Sequence, residues 1–222
     1  MVCRLLLASV AIGAIVGLNA PAHATAITQG ASFTEYWDIA VSGHPDLTAT
    51  AAFANFNFVS PTQVQFTLDV TNTTNNTGVG AFTSDRFTSF GWDTNPATAT
   101  GTDASTVFAT LTNTTLSGVT VNVCLYGGTN CNGGANGGLQ SADLATASNP
   151  STTGDFLVTL TFGTVVPSLD FSNFYGKFQT NVTSYEAYAT NTPPTSVPEP
   201  TAIALFGASL VGLGLARRKK VA

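Results

Sequence analysis

Val64, Phe66, Leu68 and Val70 alternate with Gln63, Gln65, Thr67 and Asp69. Strict alternation sends the four apolar side chains to one side of an extended chain and the polar ones to the other. A helix over the same residues would scatter both kinds around its circumference, so the pattern specifies a half-buried β-strand. It recurs at Phe33, Glu35, Trp37, Ile39 and Val41, at Val119, Val121, Val123 and Leu125, and at Phe156, Val158, Leu160 and Phe162. Phe56 and Phe58 alternate with Asn55 and Asn57 just before Ser60-Pro61-Thr62, so residues 49–71 read as a hairpin. Phe90 with Trp92, and Val107 with Ala109 and Leu111, are shorter candidates; residues 169–178 and 183–189 are weaker late strands. Turn-rich segments at 71–80, 93–103, 127–138 and 149–154 separate them. No window between the two ends of the chain carries a 3.6-residue period, and its abundant Thr, Val and Phe favour strands over helices. Eight or nine strands at this spacing predict an all-β fold, a β-sandwich of jelly-roll or immunoglobulin-like type.

Charge is scarce. Only 9% of the 222 residues are charged, and the formal net charge is −5. Arg4 lies near the N-terminus and four of the other cations cluster at the C-terminus. Residues 25–196 then hold two cations, Arg86 and Lys177, against eleven acids, a net charge of −9. A domain of that sign offers no basic surface to nucleic-acid phosphates. Few charges also leave sheet edges unguarded, so the edges must be covered or must pair between chains.

Both ends read as addresses. Residues 1–24 have the layout of a signal peptide: Arg4, an apolar stretch from Leu5 to Leu18, and Ala22-His23-Ala24 as an A-x-A cleavage site. Cleavage by signal peptidase would start the mature chain near Thr25; the alternative is an uncleaved N-terminal anchor. Cys3 precedes the apolar stretch and would leave with it. Residues 25–192 are the β-sandwich domain and 193–200 a Pro-rich linker. Residues 201–222 form the last unit. Within it, Thr201 to Ala216 has no charge and is about 24 Å long as a helix, a short single transmembrane span. Arg217, Arg218, Lys219 and Lys220 then form a basic stop that stays inside.

Val197, Pro198, Glu199 and Pro200, followed by the Gly/Ala/Leu-rich span and the terminal basic cluster, resemble the PEP-CTERM sorting signal of Gram-negative bacteria. The resemblance implies an exosortase-type partner, a membrane transpeptidase-like enzyme that cleaves near the motif. It implies transient residence in the inner membrane, then release to the surface or to the extracellular polysaccharide matrix. A second set of residues resembles the cistern family of PEP-CTERM proteins. It comprises Asn72, Phe90-Gly91-Trp92-Asp93, paired cysteines before repeated Gly-Gly, and Phe174-Tyr175-Gly176-Lys177-Phe178-Gln179. Lys177 stands where that family is expected to carry arginine, and the resemblance brings no activity with it.

Cys124 and Cys131 are the two cysteines left after the signal, and export makes a disulfide between them the default. Two thiols and His44, the one histidine after the signal, fall short of a four-ligand zinc site. The spacing is not Cys-x-x-Cys, and the glycine pairs do not match a phosphate loop. His44 lies in the turn-like Gly43-His44-Pro45-Asp46, with no Gly-x-Ser-x-Gly elbow to serve. Eleven acids, Glu35, Asp38 and Glu186 among them, could in principle supply a glycosidase pair, but most alternate outward or lie in turns. No catalytic residue is therefore assigned and no cofactor is required. Asp93, Asn95 and Asp103 fall in one loop and offer oxygen ligands to calcium, although turn formation accounts for them equally well. Tyr36 and Tyr126 lie opposite the core faces and are the better candidates for stacking on a sugar; Trp37 and Trp92 belong to the core. Asn72, Asn75, Asn113 and Asn181 head Asn-x-Ser/Thr sequences. The expected function is that of an exported, surface-sorted, non-enzymatic component of the polysaccharide matrix; the alternative is a carbohydrate-binding module.

Overall fold

The computed structural model describes residues 24–132, 137–146 and 156–190. The cleavage residue Ala22, the PEP motif, the apolar span and the basic cluster lie outside them, as does the remainder of the signal before Ala24. No helix among the described residues is long and apolar enough to cross a membrane.

Among the described residues, twelve strands form two antiparallel sheets that face each other as a β-sandwich. They are β1 (Ala24–Ile27), β2 (Phe33–Ile39), β3 (Leu47–Ser60), β4 (Gln63–Asn72), β5 (Asp85–Asn95) and β6 (Thr98–Asp103). Then come β7 (Ala109–Leu116), β8 (Val119–Tyr126), β9 (Leu139–Gln140), β10 (Phe156–Phe162), β11 (Leu169–Thr180) and β12 (Ser184–Tyr188). The five-stranded sheet runs β2-β3-β4-β10-β6. The seven-stranded sheet runs β1-β11-β5-β8-β7. Its β12 adds to the second half of β11, beyond the stretch that pairs with β1, and β9 adds to the start of β5.

The alternating segments become strands because their apolar halves meet between the sheets. Val64, Phe66, Leu68 and Val70 are fully buried, and Phe156, Val158, Leu160 and Phe162 nearly so. Aromatic rings fill the centre. Phe53 lies 5.3 Å from Trp92 edge-on, Phe56 is 4.8 Å from Phe66, and Phe171 packs against both pairs. Such rings bury large apolar areas and add edge-to-face contacts. The 49–71 reading holds: β3 and β4 form a hairpin that turns at Pro61 and Thr62. Asn55 and Asn173 mark bulges in β3 and β11, at φ 57° and 54°. Asn tolerates that left-handed backbone better than most residues, and a bulge re-aims the strand beyond it.

Two readings are corrected. Asp93, Asn95 and Asp103 do not share a loop: the first two end β5 and the third ends β6, on opposite sheets. Residues 93–103 are mostly strand, because Thr-rich sequence pairs as readily as it turns. Leu111 does not face the core; it is 37% exposed, and the buried residue of β7 is Leu116. Most acids do lie outward or in turns, while Glu35 and Asp85 are buried.

Side chains and a returning segment close the two seams between the sheets. On one side, Thr110 donates to Asp103 at 2.6 Å and Asn113 Nδ2 to the Thr98 carbonyl at 2.9 Å, stitching β7 onto β6. On the other, the Thr190 N–H donates to the Tyr36 carbonyl at 2.7 Å. Side-chain and local backbone bonds thus occupy edges that charge would otherwise guard.

Candidate functional site

The outer face of the seven-stranded sheet brings together Cys124, Cys131, Tyr126, Tyr175, Lys177 and Glu186. The reason is local geometry at β8. It pairs with β5 only over Val123–Tyr126, where Gly91 faces Cys124. Beyond that point Asn122 leaves the ladder and exchanges bonds with β5. Its N–H donates to Asp93 at 3.2 Å, and its side-chain oxygen accepts from Thr94 N–H at 2.9 Å. Gly91 permits this close approach, because a Cβ there would lie 2.7 Å from the Val123 carbonyl oxygen and 2.9 Å from Val121 Cγ2.

Cys124 and Cys131 are joined by a disulfide, with Cα atoms 6.2 Å apart. Both are buried, together with Leu116 and Val121, in a small second apolar cluster that Val119, Tyr126 and Tyr175 flank. Tyr126 is therefore half-buried packing rather than an open platform. Tyr36 is half-buried on the five-stranded sheet. The exposed ring is Tyr188, 42% accessible, set 4.9 Å from Tyr175 in a T-shaped pair. Beside them Lys177 pairs with Glu186 at 3.5 Å across β11 and β12. Ser117, at the tip of the β7–β8 hairpin, accepts from Lys177 at 3.2 Å and donates to Glu186 at 3.0 Å. The Ser117 N–H reaches Asn132, next to the disulfide. One of the two cations of residues 25–196 is thus engaged in holding this hairpin against the sheet.

The closed loop here is short, and in the chain-entropy picture it contributes about 2 kcal/mol. Replacing both Cys124 and Cys131 with alanine should lower stability by about that amount in urea denaturation. Hydrogen exchange should speed first around the β7–β8 hairpin, because the bridge belongs to the small second cluster rather than to the central core.

Asp93 and Asp103 are engaged separately, in bonds that hold strands together. Asp93 accepts from Asn122 N–H and from Asn173 Nδ2, while Asp103 accepts from Ser105 N–H and Thr110. No group of three or more His, Cys, Asp or Glu residues placed to hold a metal ion occurs among the described residues. Asn72 is 2% exposed, and its amide donates to the Leu139 and Asp85 carbonyls, so its sequon is spent inside the fold. Asn75, Asn113 and Asn181 remain on the surface. His44 stacks on Phe82 at 4.6 Å, and its Nδ1 meets the Gly80 carbonyl, which ties the 40–46 loop to the 73–84 loop.

Two buried acids are perturbed. Glu35, 2% exposed on the core side of β2, has its pKa pushed up to about 7 by desolvation. Asp85 is also raised, chiefly by burial, although the Ser141 N–H donates to it at 3.0 Å. The alternation at Phe33, Glu35 and Trp37 already put Glu35 on the apolar face. Asp85 had no such signal, since it opens β5 where the pattern is weakest.

Residues 196–220 match the family model of the PEP-CTERM protein-sorting motif. No curated protein and no solved structure matches the chain. Fold and motif together define the class: a β-sandwich domain that carries a C-terminal sorting signal. The chain carries the PEP-CTERM protein-sorting motif, which implies exosortase-type processing, membrane-anchored C-terminal sorting and then surface localisation.

Proposed function

We propose that this chain is a non-enzymatic structural or interaction component of the extracellular polysaccharide matrix of a Gram-negative bacterium. The reading includes removal of residues 1–24 by signal peptidase, anchoring through 201–222, and exosortase cleavage near Val197–Pro200. The observation that carries it is the sorting motif at 196–220. The engagement of Asp93, Asp103, Lys177 and Glu186 in bonds that hold strands and hairpins together also supports it. Membership of the cistern family is part of the same reading. Its marker residues have structural work here: Asn72 ties β4 to β9, Gly91 admits β8, and Gly176 admits a core ring.

Mass spectrometry of the protein recovered from the extracellular fraction tests the reading. The expected product begins near Thr25, has lost the basic cluster, and keeps Cys124 and Cys131 oxidised. An intact tail on protein retained in the inner membrane would falsify the sorting part.

The exposed Tyr188 ring beside Tyr175, with Lys177 and Glu186 on adjoining ladder positions, favours a second reading: a carbohydrate-binding module. Aromatic faces flanked by polar groups suit pyranose rings, and calcium is not needed for such stacking. Co-sedimentation with matrix polysaccharide should be lost in Tyr188→Ala and kept in Tyr36→Ala. Equal binding by both variants removes this surface from consideration.

A further inference from the structure

The sandwich has two unlike ends. At one end lie the β1–β2 connection (28–32), the β3–β4 turn (61–62), the β5–β6 turn (96–97) and the β10–β11 loop (163–168). None of these four segments contains a charged residue. Val165 is 64% exposed and Val59, just before the β3–β4 turn, is 41% exposed. Between them opens a groove of ≈ 580 Å³ whose lining includes Ile27, Gln29, Phe58, Pro61, Val166 and Pro167. The opposite end exposes Val79 and Val182 as well, but its loops also carry Asp46 and Asp143.

The C-terminal segment is aimed at the uncharged end. Thr190 pairs antiparallel with Tyr36, so the chain leaves the domain against the direction of β2, toward Phe33. β3, opposite, carries the same line onward from Phe53 to the turn at Pro61. Because β3 is bulged on the way, its partner β4 measures the distance: Tyr36 is level with Thr71, eight residues from Gln63 at the turn, or about 26 Å. Ten residues, 191–200, separate Thr190 from the apolar span, and their fully extended reach is about 33 Å.

We propose that, before C-terminal cleavage, this uncharged end rests on the outer surface of the membrane that holds the span, with Val59 and Val165 in the lipid headgroup layer. The proposal rests on the reading of 201–216 as a membrane span. A nearly extended linker lets the end meet the bilayer, and contraction of the flexible linker draws it closer. The far end, a further strand length away, lies out of reach in that orientation. Two valines bind lipid weakly by themselves. The tether makes the contact intramolecular, so a weak preference is enough. Cleavage removes the tether and with it the contact, which frees the domain to leave.

The test uses residues 25–222, which lack Cys3, in vesicles of phosphatidylethanolamine and phosphatidylglycerol, with an environment-sensitive fluorophore on Val165→Cys or on Val79→Cys. Cys124 and Cys131 are bridged and do not take the label. Headgroup-spin-labelled lipid should quench the residue-165 probe at least threefold more than the residue-79 probe. Cutting the linker with a protease site placed at 193–196 should abolish the difference. Equal quenching at the two positions, or stronger quenching at 79, overturns the proposal while leaving the span intact. Failure of the chain to float with the vesicles overturns the span reading, and this proposal with it.

Discussion

Replacing Gly176 with alanine should cost about 3 kcal/mol and lower the melting temperature by about 6–12 °C, the conversion expected for a domain of this size. Gly176 sits on the core face of β11, opposite Phe90 of β5 and Ala187 of β12. A Cβ built there would lie 2.5 Å from Trp37 Nε1, 2.8 Å from Trp37 Cδ1 and 2.9 Å from Phe87 Cε2. All three atoms belong to fully buried rings that are packed on each other, with Trp37 and Phe87 centroids 5.0 Å apart. Neither ring can step aside without disturbing Phe90 or Phe178. A close-packed interior resists one added methyl for that reason. Gly163 is the control, because a Cβ there meets nothing within 4 Å. Gly163→Ala should leave the melting temperature within about 1 °C of the parent. Similar melting temperatures for both variants would mean that the Trp37 pocket yields more easily than its geometry implies.

The Gly176 case shows what kind of information the sequence carried. Alternation located β2, β4, β10 and the β3–β4 hairpin, because one face of each meets the core and the other meets water. It failed at Leu111, which is exposed while β7 buries Leu116 in the small second cluster instead. It also failed at 93–103, where Thr-rich sequence supports strand and turn alike. The bulge residues did leave a mark. An Asn inside an apolar alternation, as at Asn55 and Asn173, signals a left-handed residue that shifts the register. The glycine in Tyr175-Gly176-Lys177 was visible as a motif. Its cause was not, because Trp37 lies some 140 positions away in the chain.

The candidate surface was legible in composition but not in exposure. Tyr126, Tyr175 and Tyr188 are three of the five tyrosines. Which of them would be open depended on the β7–β8 hairpin folding back over the sheet, held by Ser117, Lys177 and Glu186. That return follows from the departure of Asn122 from the ladder, a tertiary event that no local pattern announces. The cysteine pair needed only export chemistry and a count, which is why it could be named from the sequence.

Glu35→Gln should stabilise the protein at neutral and alkaline pH and leave it almost unchanged at pH 4. Glu35 lies between Phe33 and Trp37 on the inner side of β2 and is 2% exposed. Burial raises its folded-state pKa from 4.5 to about 7. In the unfolded chain the carboxyl ionises near 4.5, so between these values the folded state binds the extra proton. The tolerance of a neutral Glu35 is fully present below about 4.5. It is lost progressively as pH rises through about 7, and above that the buried charge is a constant penalty. The gap of about 2.5 units corresponds to about 3 kcal/mol, reduced to about 2–3 once partial solvent screening is allowed for. Urea denaturation of parent and variant at pH 4, 6 and 8 reads the difference directly. The stability gap between them should open from near zero at pH 4 to about 2–3 kcal/mol at pH 8. Asp38 and Asp85, also raised by burial, are common to both proteins and cancel in that comparison. A gap that stays flat across the three pH values would place a compensating charge or water beside Glu35. The core side of β2 would then be wetter than its packing against Phe53 and Phe87 indicates.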